Sequence, residues 1–216
     1  MDKIPTGSKI LDKLLGDGYE KDIITTIYGP AGSGKTNLCI LCAMNTAREG
    51  KKVVYIDTEN NFSVERFRQI CESINQNYAK LLNNVVFLRP ASFDEQKKTF
   101  EKLKDIVNDK IGLIIFDSVA MLYRLEMAKS EDIYEVNKDL ATQLSYLKEI
   151  ASKKHIPVLI TNQVYADFEN KDKVNIVGGD LLRYGSKCLL ELQITPSGNR
   201  RCIIKKHRSI RENSEI

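Results

Sequence analysis

Gly29-Pro30-Ala31-Gly32-Ser33-Gly34-Lys35-Thr36 is the stretch that decides how this chain is read. It fits G-x-x-x-x-G-K-S/T, the spacing of a phosphate-cradling loop. Glycines let a backbone curl until successive N–H groups face one anion. A helix that starts at the loop's end turns its positive dipole end toward the same anion. Lys35 is placed to reach β- and γ-phosphates, and the Thr36 hydroxyl is a hard oxygen ligand suited to Mg²⁺. The flanks agree, because residues 23–28 read as a β-branched strand and residues 37–48 as a helix. All eight loop residues are therefore candidate nucleotide-binding residues; a plain Gly-rich turn is the alternative.

With 216 residues, 42% hydrophobic and 29% charged, the chain suits one α/β domain with a full core. A net charge of +4 is a weak argument for nucleic acid by itself. The five cysteines are Cys39, Cys42, Cys71, Cys188 and Cys202. Their odd number and the absence of a secretory leader predict a reducing, cytoplasmic setting. Cys39 and Cys42 have C-x-x-C spacing, but they sit among apolar residues of the helix after the loop, so core packing is expected over redox or metal use. His155 and His207 are the only histidines, which disfavours a His-based metal site or triad. No apolar run is long enough to span a bilayer, so no membrane partner is expected.

Taken in order, Lys9–Leu15 reads as a short amphipathic helix ended by Gly16-Asp17-Gly18. After the loop and its helix, Val53-Val54-Tyr55-Ile56-Asp57 reads as a second strand whose C-terminal edge carries Thr58 and Glu59, where open α/β sheets place ligands. Ser63 is expected to cap a helix to about residue 74, and residues 85–90 form a third strand closed by Pro90. Ser92 is expected to cap a helix over 93–107. Leu113-Ile114-Ile115-Phe116-Asp117 is an apolar run tipped by an acid, which suits a strand buried on both faces and a Walker B carboxylate linked to Mg²⁺. Residues 121–131 read as an irregular loop. A long helix follows, carrying Ile133, Val136, Leu140, Leu144, Leu147 and Ile150 at three- and four-residue steps. Residues 156–161 form the next strand, tipped by Asn162-Gln163, and residues 165–179 read as a long polar loop at the same edge. Residues 189–194 and 201–205 alternate and are joined by Pro196-Ser197-Gly198-Asn199, a hairpin. The end of the chain, residues 205–211, is basic. Such a run is a solvated face or a contact for nucleic-acid phosphates. The expected fold is α/β, a mostly parallel sheet flanked by helices with a C-terminal hairpin, in one domain over 1–216.

Several motifs converge on one resemblance. They are Thr6-Gly7-Ser8-Lys9-Ile10-Leu11-Asp12-Lys13-Leu14-Leu15-Gly16, the phosphate loop, Tyr55-Ile56-Asp57-Thr58-Glu59, Ile114-Ile115-Phe116-Asp117-Ser118 and Thr161-Asn162-Gln163-Val164. Together they resemble the RecA-like core ATPase domain of the RecA/RadA recombinases. The resemblance implies ATP and Mg²⁺ as ligands. It gives Glu59 the role of ordering the attacking water, Asp117 that of the Mg²⁺-linked acid, and Gln163 that of a γ-phosphate sensor. That amide would report to a second DNA-binding loop over 164–178, with a first over about 126–134; Arg66 would lie near the adenine. DNA contacts fall to Lys171, Lys173, Lys205, Lys206 and Arg208.

Two departures stand out. Family members carry glycine at the position of Asp17 and just after the acid of the Thr58-Glu59 motif, where this chain has Asn60-Asn61. Only a few residues precede Ile4, so the N-terminal DNA-binding domain and the subunit-docking strand of RadA are expected to be missing. The resemblance therefore implies an accessory role in DNA repair and recombination: weak ATP hydrolysis, no strand exchange, and DNA, a RadA-type recombinase and a Holliday-junction resolvase as partners, with homo-oligomerisation left open. The alternatives are an autonomous DNA-dependent recombinase ATPase and a clock-protein-like signalling ATPase with no DNA role.

Overall fold

A computed structural model describes residues 2–166 and 174–216. In chain order the strands are β1 (Lys3–Ile4), β2 (Tyr19–Glu20), β3 (Ile24–Gly29), β4 (Lys52–Asp57), β5 (Val85–Leu88), β6 (Ile111–Asp117), β7 (Val158–Ala166), β8 (Val174–Ile176), β9 (Cys188–Ile194) and β10 (Arg200–Lys206). The helices are α1 (Lys9–Leu15), α2 (Lys35–Arg48), α3 (Val64–Ser73), α4 (Tyr78–Leu82), α5 (Phe93–Ile106), α6 (Ala120–Met127), α7 (Ile133–Lys154) and α8 (Gly179–Gly185).

The main sheet runs β10-β9-β3-β7-β6-β4-β5, with β8 added to the far end of β7. From β9 to β5 every pairing is parallel; only β10 on β9 and β8 on β7 are antiparallel. Parallel strands need crossover connections, and these put helices on both faces. The strand residues alternate accordingly. Val53, Tyr55, Leu113 and Ile115 enter a core shared with Phe67 and Cys71 of α3 and with Cys39, Ile40 and Ala43 of α2. Val54, Ile56, Ile114 and Phe116 enter a second core with Phe100 and Leu103 of α5 and Leu140, Leu144 and Leu147 of α7. A sheet buried on both sides explains why these strands read as unbroken apolar runs. All five cysteines are buried and unpaired, and Cys39 and Cys42 pack in the first core. No described helix is long and apolar enough to cross a membrane.

Local signals behave as their chemistry predicts. Ser63 and Ser92 cap α3 and α5, accepting from the amides of Arg66 and Glu95 at 3.1 Å. The two positions where the resemblance leads one to expect glycine have left-handed backbone, Asp17 with φ of 80° and Asn60 with φ of 53°. Asp and Asn tolerate that region better than other side chains, so these turns form without glycine.

Two expectations need correction. Residues 121–131 are not an irregular loop throughout: α6 occupies Ala120–Met127. Its Tyr123 packs edge-on against Phe93 with centroids 6.2 Å apart and donates to Asn137 Oδ1 at 2.7 Å. Burial between α5 and α7, not local pattern, forms this helix. The stretch 165–179 is likewise not a loop at its described ends: β7 runs on to Ala166, β8 pairs back on it through Val164 and Ile176, and α8 begins at Gly179.

The basic end is folded onto the body. Lys206 Nζ donates to the carbonyls of Arg183 and Ser186 at 2.7 and 2.8 Å, a cation on the C-terminus of α8. Arg208 Nε donates at 2.5 Å to Glu20, which is 2% exposed on β2. His207 Nδ1 accepts from the amides of Ser209 and Ile210, both at 3.1 Å, so the neutral ring carries its proton on Nε2, facing Glu20 at 3.9 Å. Burial pushes the His207 pKa down, helped by Lys3 and Arg208 and opposed by Glu20. Beyond it, Cys202 and Ile216 exchange backbone hydrogen bonds at 2.9 and 3.0 Å along β10.

Two outcomes follow from this anchor. Glu20→Ala strands Arg208 beside an apolar gap and is expected to lower unfolding free energy by about 3 kcal/mol in a urea titration, the low end for a broken buried pair because Arg208 is partly solvated. Below about pH 6.5 the unfolded chain protonates His207 before the folded chain does, so stability falls as pH falls; His207→Phe should flatten that slope between about pH 6.5 and 5 in thermal melts.

Candidate functional site

Because β3, β4, β6 and β7 are parallel, their C-terminal ends meet at one rim. Register sets Gly29 beside Gln163 and Asp57 beside Asp117, with Phe116 opposite Ile160 and hence Asp117 next to Thr161. A cleft of about 440 Å³ opens there, lined by the loop and by Lys35, Thr36, Glu59, Asp117, Thr161 and Gln163.

The phosphate loop joins β3 to α2. Gly32 and Gly34 have φ of +73° and +103°, with nothing near where a Cβ would stand, so glycine serves the curl itself. Gly29 serves packing: a Cβ there would lie 2.3 Å from the Leu192 carbonyl of β9. No side chain caps the N-terminus of α2, which leaves its first amides available to an anion. Lys35 Nζ donates to the carbonyls of Gly29 and Pro30, both at 2.9 Å. Burial lowers the Lys35 pKa, while the Asp117 and Glu59 carboxylates pull it back up.

Asp117 is buried. Its Oδ2 accepts from Tyr55 at 2.9 Å and its Oδ1 from the Thr161 hydroxyl. Desolvation raises its pKa; hydrogen bonds from Thr161, Tyr55 and Thr36 work against that rise. The peptide to Ser118 is cis, and the Ser118 amide donates to Thr58 Oγ1 at 3.0 Å. Asp57 accepts from the amides of Asn61 and Phe62 at 3.0 and 3.2 Å, holding the turn that carries Glu59. Gln163 Nε2 meets both Glu59 oxygens at 3.0 and 3.2 Å, and Asn61 Nδ2 donates to Oε2 at 3.0 Å.

Thus Lys35, Thr36, Glu59, Asp117 and Gln163 come together. Arg66 stands apart: it is exposed on the first turn of α3, its guanidinium donating to Gln69 at 3.2 Å, although the capping Ser63 beside it lines the cleft. Lys205 lies 3.7 Å from Glu191, and Lys206 and Arg208 are engaged as described. Lys171 and Lys173 lie outside the described residues. Sequence reasoning missed Tyr55 and Thr161 as donors to Asp117. Tyr55 lies two residues before Asp57, and strand alternation could have placed it on the same face. Among the described residues no cluster of three or more His, Cys, Asp or Glu forms a preassembled metal site. One carboxylate plus one hydroxyl is nonetheless the donor set Mg²⁺ takes when phosphates supply the rest, so the residues fit that ion.

Comparison with known proteins agrees with this geometry. The Rad51 family profile matches residues 1–216. The "DNA repair and recombination protein RadB" of Methanobrevibacter smithii is 40% identical over 219 residues, covering 99% of this chain and 91% of the relative. The protein of the same name from Thermoplasma acidophilum is 39% identical over 212 residues, covering 97% and 88%. The solved structure described as the RadB recombinase superposes with a TM-score of 0.84 at 35% identity, covering 98% of this chain and 93% of that one. The chain therefore belongs to the Rad51 family of RecA-like proteins.

Proposed function

We propose that this single-domain chain binds Mg·ATP in the rim cleft and acts in DNA repair and recombination as an accessory to a RadA-type recombinase. The observation that carries the reading is the direct pairing of Gln163 with Glu59 beside the phosphate loop, at 3.0 and 3.2 Å. It joins an amide on β7 to a carboxylate after β4, so a γ-phosphate contacted by Gln163 would change what Glu59 can hold.

The roles follow from chemistry. The loop amides and Lys35 would bind the β- and γ-phosphates, and Arg66 would flank the base. Thr36 and, through its hydrogen-bonded carboxylate, Asp117 would hold Mg²⁺, which when bound neutralises developing phosphate charge. Tyr55 and Thr161 orient Asp117. Glu59 would order the attacking water, but that water competes with Gln163 and Asn61 for the carboxylate, which supports slow hydrolysis and use of ATP as a switch. DNA contact is assigned to Lys171, Lys173 and Lys205; Lys206 and Arg208 would reach a phosphate only by leaving their present partners. A Holliday-junction resolvase is the further partner the reading includes.

Three measurements test this. Lys35→Ala should weaken Mg·ATP binding by about 100-fold in calorimetry with the circular dichroism spectrum unchanged, the scale of lost charge-assisted bonds. Wild-type turnover should be slow and little stimulated by single-stranded DNA; fast, DNA-driven turnover with strand exchange would overturn the accessory role. Lys171→Ala with Lys173→Ala should weaken DNA binding and reduce the slope of log affinity against log salt by about 2.

A further inference from the structure

The β9–β10 hairpin reaches the phosphate loop. Arg200, the first residue of β10, donates from Nε to the Gly32 carbonyl at 3.2 Å and from Nη1 to the Gly198 carbonyl in the hairpin turn. Among the hydrogen bonds of the described residues, this is the one that ties loop residues 30–34 to an element other than α2. The other bonds there are internal or to α2: Ser33 N to the Pro30 carbonyl at 3.2 Å, Lys35 Nζ to the Pro30 carbonyl at 2.9 Å and Leu38 N to the Gly34 carbonyl at 3.0 Å. Beyond their chain neighbours, nothing lies within 4 Å of where a Gly32 or Gly34 Cβ would stand, although the Ser33 side chain between them is buried.

The consequence is geometric. A trans peptide is planar, with its C=O and N–H on opposite sides. Drawing the Gly32 carbonyl outward to Arg200 turns the Ser33 N–H of the same peptide inward across the loop, where it now meets Pro30. That amide is one of the donors an anion in the loop would take. The guanidinium suits the task because its planar fork spans two carbonyls at once. Arg201 does not share it: its Nη1 lies 3.8 Å from Glu215.

We propose that Arg200 is a positioning residue that acts within one chain, presetting the Ser33 amide for the phosphates of a bound nucleotide and coupling the hairpin to the loop. The proposal rests on the nucleotide reading above. The test is calorimetric titration of the full chain with Mg·ATP for wild type, Arg200→Ala, Arg200→Lys, Arg201→Ala and Lys35→Ala, with amide NMR of Ser33. Arg200→Ala should weaken binding about tenfold, the size of one charge-assisted hydrogen bond. Arg200→Lys should recover part of the loss, since an ammonium meets Gly32 but spans to Gly198 poorly. Arg201→Ala should bind as wild type. The Ser33 amide resonance of Arg200→Ala should differ from wild type before nucleotide is added, with a melting temperature within a few degrees. Wild-type affinity in both Arg200 variants, while Lys35→Ala loses binding, would overturn the positioning role alone. A wild-type chain that binds no Mg·ATP would overturn the nucleotide reading and this inference with it.

Discussion

The parallel register of β3, β7, β6 and β4 is the constraint everything else at the site depends on. Side by side, the four strands carry Gly29, Gln163, Asp117 and Asp57 at this rim, and β7 alone runs on past it to Ala166. Strand spacing of about 4.8 Å then brings a phosphate cradle, an amide and the Asp117 carboxylate to one small cleft, while Asp57 beside Asp117 holds the turn that carries Glu59 into it. None of these residues is near another in the chain; Gln163 and Glu59 are 104 residues apart. A slip of one residue on β6 would turn Asp117 into the opposite core and bring Phe116 or Ser118 to the rim. The two apolar cores prevent this, because alternate residues of β4 and β6 are committed to opposite faces.

Burial at the rim has a second effect. Asp117 and Asp57 lie side by side and almost free of solvent, an arrangement that costs energy unless the charges are solvated by the protein. Hydroxyls do this for Asp117 and backbone amides for Asp57. The hydrogen-bond donors are neutral, so they orient the acids without cancelling their charge; among the described residues the one close cation is Arg89, half-exposed, whose Nε lies 3.9 Å from Asp57 Oδ2. Lys35 remains engaged with its own loop carbonyls.

Much of this was legible in the sequence because the signals are local. The phosphate loop is a backbone requirement written in glycines. The buried strands announce themselves as β-branched runs tipped with polar residues, and Ser63 and Ser92 mark helix starts through one hydrogen bond each. What was not legible rests on distant contacts. The helix α6 depends on Phe93 and Asn137. The two-residue strands β1 and β2 are too short to show a period. The basic run at 205–211 looked like a free cationic surface, yet Lys206 caps a helix and Arg208 meets a carboxylate 188 residues earlier. Arg200 reaches the loop across 168 residues, and nothing in its neighbourhood marks it. Composition gives the charge of such residues but not their partners.

The backbone pairing of Ser214 and Ile216 with Ile204 and Cys202 has a consequence for self-association. A strand at the margin of a sheet offers unpaired amides and carbonyls to any extended peptide, and aggregation commonly begins there. Here the terminal residues occupy part of that margin on β10, and the Glu20 cluster pins the segment in place. Loosening the pin would do more than soften the fold: it would uncover a sticky ribbon flanked by the apolar side chains of Cys202 and Ile204.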